Sequence, residues 1–572
     1  MKEPRVKYWW LIKLGLTIIG RKGIKELNKV SKNAKKALSD NLRRMLTDSR
    51  DTAYGKDHNF DEILTAKTPE ELFSLYGKNV PINDYEDLRP YIERHKNGEP
   101  DILIPGKPKF YATTSGTTKE PKWIPVSQKY YMEVYKVMSS IWYYSWMKTK
   151  PRVFYGVSLS FMGKAIEGYA PDGTVYGSIS GVIQRDVPFF MRNLYSGPTD
   201  IFLIDDYRAR YYAIIRLGLA RNVTVIVTAN PSTLVEMQAN VNEYFDDYCE
   251  DIEKGTISEK YPISQEIREQ MKLFMKPNPA RAAELRKFKE RFPYLLPKHY
   301  WPNLQIVTCW WCGNTKIYFD KVRDSFPADC MFHEFGYIST ECKAGVVLKT
   351  NSKETVTFGH KVYLEFIHES ELGNPDAKIY QAYEVKEGQR YCMLATTCSG
   401  LYRYNTDDLV EITGFYNEFP IIEFIQKVNG TTSLTGEKLH ERQFIEAVRD
   451  TEKTIGKKTS FFVGFADPQK SNYTFYYEFA DQHVSISEAE TFTTQLDLCL
   501  QEYNPEYKEK RCTDRLKMPE TAILISESFE KFKRSCIEKG YRDGQFKLNL
   551  LMQDEKRHAM FKELVKTNGS EG

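Results

Sequence analysis

The N-terminal part of the chain alternates apolar and polar residues with the period of a helix. Apolar residues recur at spacings of three and four at Leu27, Val30, Ala34, Leu38, Leu42 and Met45. This spacing predicts a long amphipathic helix. Ser39 and Asp40 lie within it, so we expect any break in the helix there. Further on, Val80-Pro81-Ile82 leads into Tyr85-Glu86-Asp87-Leu88, which is typical of a loop that enters another helix.

An apolar run precedes this pattern. Trp9-Trp10-Leu11-Ile12 is followed by Lys13 and then by the apolar residues 14–19. The run is shorter than the roughly 20 apolar residues that span a bilayer. No small-residue cleavage site follows it. We therefore expect no transmembrane segment but a helix packed on the body of the protein, with peripheral membrane contact as the alternative.

The middle of the chain alternates between strand and helix patterns. Strands are predicted at residues 110–112, 223–227, 304–308 and 362–367. The segment 223–227 is β-branched throughout, which is typical of a buried strand, and Asn230-Pro231-Ser232 ends it. Alternation of this kind continues to about residue 425. It predicts an α/β domain with a substantial sheet.

After Phe424 the pattern changes. Residues 429–432 form a turn-like stretch, and a helix is predicted at 441–448. Two aromatic strands follow, at 461–465 and 473–479. A second helix is predicted to start near Ser487, with Ser487 and Glu490 as its capping box. The C-terminal part therefore reads as a smaller α+β domain on a hinge.

Composition and charge narrow the class of protein. The 81 basic and 77 acidic residues leave a net charge of only +4, so we expect no nucleic-acid partner. Ten scattered Cys residues without a secretory signal indicate free thiols and a cytoplasmic protein. Cys309-Trp310-Trp311-Cys312 has the spacing of a redox or metal half-site. No second such pair follows, so we favour a buried strand end.

The segment from Thr113 to Lys122 carries the strongest candidate chemistry. A predicted strand leads into Thr113-Thr114-Ser115-Gly116-Thr117-Thr118. Hydroxyls and backbone N–H groups donate to phosphate oxygens, and Gly116 lets the backbone approach closely. Lys122 would offset polyphosphate charge. A Ser/Thr-rich loop taken alone is more often a polar turn, and this one does not have the Walker pattern.

Three further elements suit a nucleotide. In Tyr337-Ile338-Ser339-Thr340-Glu341, the ring can stack on a base, Thr340 can bond a phosphate and Glu341 can hold Mg²⁺. Asp408 can accept both hydroxyls of a ribose. Lys547, in Asp543-Gly544-Gln545-Phe546-Lys547, can neutralise charge on a phosphoryl group. Each is weak alone, because a loop Glu, a capping Asp and a surface Lys are all common.

The order of these elements resembles the adenylate-forming superfamily. Within it, the chain is similar nearly end to end to the auxin-responsive acyl acid–amido synthetase family. The similarity is carried by RRMLTDSRDTAYGKDHNF, VPINDYEDLRPYIER, TTSGTT, TANPSTL, WPNLQIV, YISTE, VYLEFI, GLYRYNTDDLVEI, GEKLHE and GYRDGQFK. Ten ordered elements make a specific match.

The resemblance implies a fold and a reaction. It implies an α/β fold, with a large N-terminal adenylate-forming domain of mixed sheets and helices at residues 1–426 and a smaller mobile α+β domain at 427–572. The expected enzyme is an ATP-dependent ligase that adenylates a carboxylic acid, releases pyrophosphate and passes the acyl group to an amine, in particular an amino acid. ATP and Mg²⁺ are the implied cofactors. A monomer is favoured.

Site residues carry over from the family motifs one by one. The resemblance implies Lys547 and Lys438 as catalytic residues and Glu341 as the metal ligand. ATP and AMP would be bound by Thr114, Ser115, Gly116, Thr117, Thr118, Lys122, Tyr337, Thr340, Glu341 and Asp408. A hinge near Lys427 would let the small domain rotate between the two half-reactions.

The chain also departs from the family pattern. The differences are Lys119 and Glu120 in the phosphate loop, Ile338, Asp407 in place of Gly, Lys427 at the hinge and Asn549-Leu550 after the late Lys. None of them removes a group that does chemistry. Two alternatives stay open: an acyl-CoA ligase with a thiol acceptor, and a non-catalytic nucleotide-binding protein on the same fold.

Overall fold

The computed structural model describes residues 9–113, 122–311, 316–428, 431–432, 434–435, 437, 439–512, 516–538 and 548–566. The chain divides into two compact units. The first comprises Met1–Thr406 and Val410–Phe424, and the second comprises Asp407–Leu409 and Ile425–Gly572.

Helices make up much of the first unit. The α-helices are α1 (Trp9–Val30), α2 (Ala34–Ser49), α3 (Ala53–Asp57), α4 (Phe60–Leu64), α5 (Pro69–Asn79), α6 (Tyr85–Lys96), α7 (Gln128–Tyr130), α8 (Lys136–Thr149), α9 (Ile179–Arg185), α10 (Tyr207–Leu219), α11 (Ser232–Glu243), α12 (Phe245–Lys254), α13 (Gln265–Lys272), α14 (Pro279–Arg291), α15 (Pro297–Tyr300) and α16 (Lys316–Val322). A π-helical turn, Tyr131–Tyr135, joins α7 to α8, and short 3₁₀ turns lie at Phe189–Leu194, Thr199–Leu203, Arg323–Ser325 and Glu369–Glu371.

The predicted N-terminal helix is two helices, and the expected position of its break is wrong. α1 ends at Val30, and Asn33 begins α2 by accepting a hydrogen bond from the backbone N–H of Lys36 at 3.0 Å. Ser39 is buried inside α2, and Asp40 pairs with Lys36 at 2.9 Å. An N-cap and an i,i+4 ion pair therefore set the boundary at Ser31–Asn33, six to nine residues before the Ser39-Asp40 position that residue propensities predicted.

A parallel sheet organises the middle of the first unit. Its strands are β3 (Val157–Phe161), β6 (Val223–Thr228), β7 (Ile306–Thr308) and β8 (Met331–His333). They lie in the order β3-β6-β7-β8, and every neighbouring pair is parallel. The predicted strand at 223–227 and its end at Asn230 are confirmed. The prediction at 304–308 is confirmed with a later start.

Two further sheets contain the remaining strands of the N-terminal three quarters of the chain. The first has the order β2-β1-β5-β4, with β1 (Phe110–Thr113), β2 (Trp123–Val126), β4 (Gly168–Tyr169) and β5 (Val175–Gly177). The second has the order β12-β11-β13-β14-β15-β10-β9, with β9 (Gly345–Val347), β10 (Thr355–Thr357), β11 (Tyr363–His368), β12 (Ile379–Gln381), β13 (Arg390–Thr396), β14 (Tyr404–Tyr416) and β15 (Phe419–Lys427). The strand predicted at 362–367 is β11.

The second unit is α+β. It contains β16 (Thr431–Thr432), β17 (Leu439–His440), α17 (Glu441–Ile455), β18 (Thr459–Asp467), β19 (Asn472–Phe479), α18 (Ile486–Tyr503), α19 (Pro505–Cys512), β20 (Glu520–Ile523), α20 (Ser528–Glu538), β21 (Leu551–Met552) and α21 (Glu555–Lys562). Its main sheet has the order β20-β19-β18-β21. The predicted helix at 441–448 and the aromatic strands at 461–465 and 473–479 are confirmed as α17, β18 and β19.

One detail of the second unit differs from the prediction. The capping box of α18 is formed by Ser485 and Glu488, not by Ser487 and Glu490. The Ser485 hydroxyl accepts from the Glu488 N–H at 3.3 Å, and the Glu488 carboxylate accepts from the Ser485 N–H at 2.9 Å. Both Ser–Glu pairs have the spacing of a capping box. The sequence spacing therefore does not decide between them, and the start of the helix at Ile486 does.

The apolar run at the N-terminus forms a helix packed on the body, as expected. α1 buries Ile12, Leu16, Gly20, Gly23 and Leu27. A Cβ at Gly20 would lie closer than 3.0 Å to the carbonyl oxygen of Ser140 and to the Cβ of Tyr144 on α8. Glycine therefore lets the two helices approach closely. Within the described residues, no helix combines the length and apolar character needed to cross a bilayer.

Candidate active site

The phosphate-loop candidates lie between two paired strands. β1 and β2 are antiparallel, and Thr113 at the end of β1 pairs with Trp123 at the start of β2. The predicted strand before the loop is thus confirmed. Thr114, Ser115, Gly116, Thr117 and Thr118 lie outside the described residues, so their phosphate contacts stay a prediction.

Lys122 stands at the entrance to β2. Its ammonium lies 5.6 Å from the ring centroid of Tyr85. The Tyr85 hydroxyl accepts a hydrogen bond from the backbone N–H of Trp123 at 2.8 Å, which fixes the ring beside Lys122. Arg89 and, more weakly, Lys122 lower the pKa of the Glu86 carboxyl. Lys122 therefore supplies positive charge at the end of the loop, over an aromatic face.

The Tyr337–Glu341 element follows β8 at the carboxyl end of the parallel sheet. Ligands of open α/β sheets bind at this end of the strands. Gly336 has a φ of 84°, which lets the chain turn sharply after the strand. The backbone N–H of Ser339 donates to the Cys342 carbonyl at 2.9 Å, and the Ser339 hydroxyl accepts from the Cys342 N–H at 3.1 Å. Thr340 and Glu341 are thus held at the tip of a tight turn.

Lys343 supports this turn and was not predicted. Its ammonium donates to the Ser339 carbonyl at 2.7 Å, and its backbone N–H donates to the Tyr130 hydroxyl at 2.9 Å. The side chain is buried, with its ammonium 5.1 Å from the ring centroid of Tyr135. The available signal was a Lys four residues after Ser339, a spacing too common to single out.

Glu341 is close to Tyr404 in the third motif, which comprises residues 401–408. Burial, and then the Glu341 carboxylate, raise the pKa of Tyr404, the first residue of β14. Burial, Cys342 and Glu341 likewise raise the pKa of Tyr135. Glu341 of the second predicted motif therefore lies near Tyr404 of the third.

Arg403 in the third motif has a structural role. Its Nε donates to the Glu365 carboxylate at 3.0 Å, and its Nη1 donates to the Val80 carbonyl at 2.9 Å. Both charged side chains are buried, and burial raises the pKa of Glu365 although Arg403 opposes this. The pair joins β11 to the loop before β14.

Asp408 also has a charged partner. Its buried carboxylate lies 2.7 Å from the ammonium of Lys427. Lys427, noted in the sequence only as a departure at the expected hinge, is therefore the counter-ion of the predicted ribose ligand. The ion pair holds the Asp408 carboxylate in one position, which a carboxylate that is to accept two hydroxyls needs.

The two predicted catalytic lysines, Lys438 and Lys547, lie outside the described residues. The residue before Lys438 makes three hydrogen bonds: the Glu437 carboxylate accepts from the backbone N–H groups of Leu434 and Thr435 at 2.7 Å each and from the Tyr473 hydroxyl at 2.6 Å. Burial acts to raise the pKa of Glu437, but these hydrogen bonds outweigh it and lower the pKa.

The metal prediction rests on a single carboxylate. Among the described residues, no group of three or more His, Cys, Asp and Glu is arranged to hold a metal ion. Mg²⁺ bound with a nucleotide needs only one or two protein carboxylates, because phosphates and water supply its other ligands. Glu341, partly exposed at the tip of its turn, fits that requirement.

Cys309 is buried one residue after the end of β7, as the prediction of a buried strand end expects.

Comparison with known proteins identifies three consecutive regions. Residues 23–331 match the GH3 family N-terminal domain, 355–427 the GH3 family central domain and 442–556 the GH3 family C-terminal domain. A probable indole-3-acetic acid-amido synthetase of Arabidopsis thaliana is 22% identical over 92% of this chain and 90% of its own length. A jasmonoyl–L-amino acid synthetase of Nicotiana attenuata is 25% identical over 77% of this chain and 78% of its own length.

The fold has a counterpart among solved structures. An acyl acid amido synthetase, GH3.15, superimposes with a TM-score of 0.81 at 21% identity, covering 95% of this chain and 96% of that one. The predicted fold class, an α/β adenylate-forming fold with a smaller α+β part, is thereby confirmed.

Proposed function

This chain belongs to the GH3 family, and from that membership we propose that it is an ATP-dependent acyl acid–amido synthetase-like ligase. It would adenylate a carboxylic acid and then transfer the acyl group to an amine, in particular an amino acid. The observation that carries the proposal is the ordered match of three GH3 regions along one chain. The position of Glu341 beside Tyr404 supports it.

The first half-reaction forms the acyl-adenylate. A carboxylate oxygen of the acid attacks the α-phosphorus of ATP, and the bond to the β-phosphate breaks to release pyrophosphate. In our proposal residues 114–118 and Lys122 bind the phosphates, and Tyr337 stacks on the base. Lys547 and Lys438 neutralise charge that develops on the phosphoryl oxygens, a task for fixed cations.

Thr340, Glu341 and Asp408 hold the nucleotide in this proposal. Asp408 accepts the two ribose hydroxyls, and its pairing with Lys427 at 2.7 Å fixes the position of its carboxylate. Thr340 donates to a phosphate oxygen from the turn that Ser339 and Lys343 brace. Glu341 would hold Mg²⁺, which when bound offsets phosphate charge.

The second half-reaction forms the amide. A neutral amine attacks the acyl carbon, its proton is released, and AMP leaves with the electron pair of the acyl–oxygen bond. The rate should rise with pH toward the amine pKa, because only the unprotonated amine is a nucleophile. We assign the larger domain to residues 1–426 and the smaller domain to residues 427–572. In this proposal the smaller domain rotates about a hinge near Lys427 between the two half-reactions. Cytoplasmic ATP supplies the reaction.

ATP–pyrophosphate exchange across a panel of aryl, indole and fatty acids tests the adenylation step. Exchange that depends on one acid is the expected result and names the acid class. No exchange with any acid, together with tight ATP binding, would instead support a nucleotide-binding protein without this activity.

The acceptor is tested separately with the acid identified by exchange. Amide formation with amino acids is compared with thioester formation with CoA under the same conditions. Amide product without thioester supports the proposal. Thioester without amide would make the protein an acyl-CoA ligase, with its adenylation step intact.

A further inference from the structure

Helix α1 has two apolar faces on opposite sides. Its buried face, Ile12, Leu16, Gly20, Gly23 and Leu27, packs on the protein. Successive residues of a helix are about 100° apart, so Trp10, Leu14 and Ile18 lie on the opposite side, with Leu11 beside them. These four side chains are 44–60% exposed. Contiguous exposed apolar residues of this size mark a binding surface.

Basic residues continue the same side of the helix toward its C-terminal end. Arg21, Lys22, Lys25 and Lys29 are exposed. Arg21 and Lys25 lie within the same arc as Trp10, Leu14 and Ile18, and Lys22 and Lys29 lie next to it, on the side of Leu11. The acid of α1, Glu26, is turned aside and accepts a hydrogen bond from Lys361 at 2.8 Å. We call residues 10, 11, 14, 18, 21, 22, 25 and 29 the N-terminal stripe: apolar in its first half and cationic in its second.

The charge is concentrated in this part of the chain. Residues 1–29 contain eight Lys or Arg and two Glu, a net charge of +6, whereas the whole chain carries +4. All other residues together are therefore slightly negative. The match to the GH3 N-terminal domain begins at residue 23, so the apolar half of the stripe precedes the residues that the family model matches.

We propose that the N-terminal stripe docks the protein on the surface of an anionic lipid membrane. Trp and branched apolar side chains enter the boundary between headgroups and acyl chains, and neighbouring Lys and Arg are attracted to anionic headgroups. A second copy of the chain fits the stripe less well, because a parallel pair of helices would bring like charges together and an antiparallel pair would set cationic residues against apolar ones. The binding is peripheral and reversible, and it places an acid-activating enzyme where apolar acids accumulate.

Co-sedimentation of the full-length protein with vesicles tests this proposal. We expect binding to vesicles of phosphatidylcholine with phosphatidylglycerol, weakened by added salt, and little binding to pure phosphatidylcholine. The double variant Leu14→Glu/Ile18→Glu should lower the bound fraction by roughly tenfold or more, since it places two acids in the apolar half. Lys22→Glu/Lys25→Glu should remove the preference for anionic vesicles.

Leu273→Glu is the matched control, because Leu273 is 77% exposed at the C-cap of α13 and the change is of the same kind. It should bind as the parent does, and circular dichroism should show all variants folded. Equal binding of Leu14→Glu/Ile18→Glu and the parent would overturn the proposal. A parent protein that binds no vesicles would also overturn it. Light scattering would then show whether the parent is a dimer that Leu14→Glu/Ile18→Glu dissociates. Such a dimer would mean that a second copy covers the stripe, and a monomer would mean that the stripe has no partner.

Discussion

At the scale of single residues, burial sets several properties that the sequence does not display. His333 ends β8 and is almost fully buried among aromatic rings, with the Trp146 ring centroid 5.6 Å and the Trp142 centroid 6.3 Å away. Burial lowers its pKa to about 3. It therefore stays neutral at pH 7 and acts as an aromatic core residue next to the candidate site, not as a proton acceptor.

This depressed pKa predicts a pH dependence of stability. Below about pH 6.5 the unfolded chain binds a proton at His333, while the folded protein does not until about pH 3. The stability that neutral His333 contributes is thus complete above pH 6.5. As the pH falls from 6.5 toward 3, the free energy of unfolding decreases by about 1.4 kcal/mol per pH unit. His333→Phe should flatten the slope of the urea-unfolding free energy between pH 5.5 and 4.5 by nearly this amount. Phe335→Leu, which removes a neighbouring buried ring that carries no ionisable group, should leave the slope unchanged.

The buried pair of Arg403 and Glu365 gives a second prediction at this scale. Arg403→Met leaves the Glu365 carboxyl buried without its counter-charge, which should destabilise the protein by about 3–5 kcal/mol. Replacing both, with Arg403→Met/Glu365→Leu, should recover much of that loss, because no buried charge remains. Thermal unfolding of the two single variants and the double variant checks this. A double variant that is no better than Arg403→Met would show that the role of Arg403 is its bonds to backbone carbonyls.

At the scale of elements, the packing of α1 on α8 depends on glycine. A Cβ at Gly20 would meet the backbone of Ser140, whereas a Cβ at Gly15 of the same helix meets nothing within 4 Å. Gly20→Ala should therefore cost about 1–3 kcal/mol by overpacking. Gly15→Ala should stabilise by up to about 1 kcal/mol through helix propensity. Denaturant titration of both variants measures the change in the free energy of unfolding. A change of the same sign in both variants would contradict this packing.

The start of α18 offers a similar matched pair. Ser485 caps the helix with its hydroxyl, so Ser485→Ala should cost about 1 kcal/mol. Ser487 is exposed inside the first turn, so Ser487→Ala should be close to neutral. Comparing the unfolding midpoints of the two variants tests the observed cap against the one expected from the sequence. A larger loss at Ser487 would restore the sequence-based assignment.

Both corrected boundaries show where sequence reasoning stops. The strands at 223–227 and 473–479 were predictable because runs of β-branched or aromatic residues favour a strand over a helix or a loop. The helix break and the α18 cap were not, because Ser, Asp and Asn near a helix satisfy several registers equally well. In each case a neighbouring side chain decides: Lys36 pairs with Asp40 inside α2, and Glu488 completes the box with Ser485.

At the scale of the whole molecule, the sequence predicted the fold class through ordered motifs and missed the contacts that hold them. Lys343 bracing Ser339 and Lys427 pairing with Asp408 involve common residues at unremarkable spacings. Long-range partners such as Glu365 for Arg403 are 38 residues apart in sequence. Nothing in local periodicity points to such a pair, since only the sheet brings β11 beside the loop before β14.

The last prediction concerns how the two half-reactions are divided along the chain. If Lys547 serves only the adenylation step, Lys547→Ala should lower ATP–pyrophosphate exchange by roughly 10²–10³-fold, the cost of losing one fixed donor to developing charge. ATP binding, measured by thermal shift, should stay close to that of the parent, because Lys122, Thr340 and Asp408 remain. Lys531→Ala, an exposed Lys on α20, is the control and should retain exchange. Undiminished pyrophosphate release by Lys547→Ala would remove this residue from the reaction, whereas equal loss of exchange and of ATP binding would make it a binding residue. Only the selective loss fits a chain whose late lysine acts on the transition state of the first step.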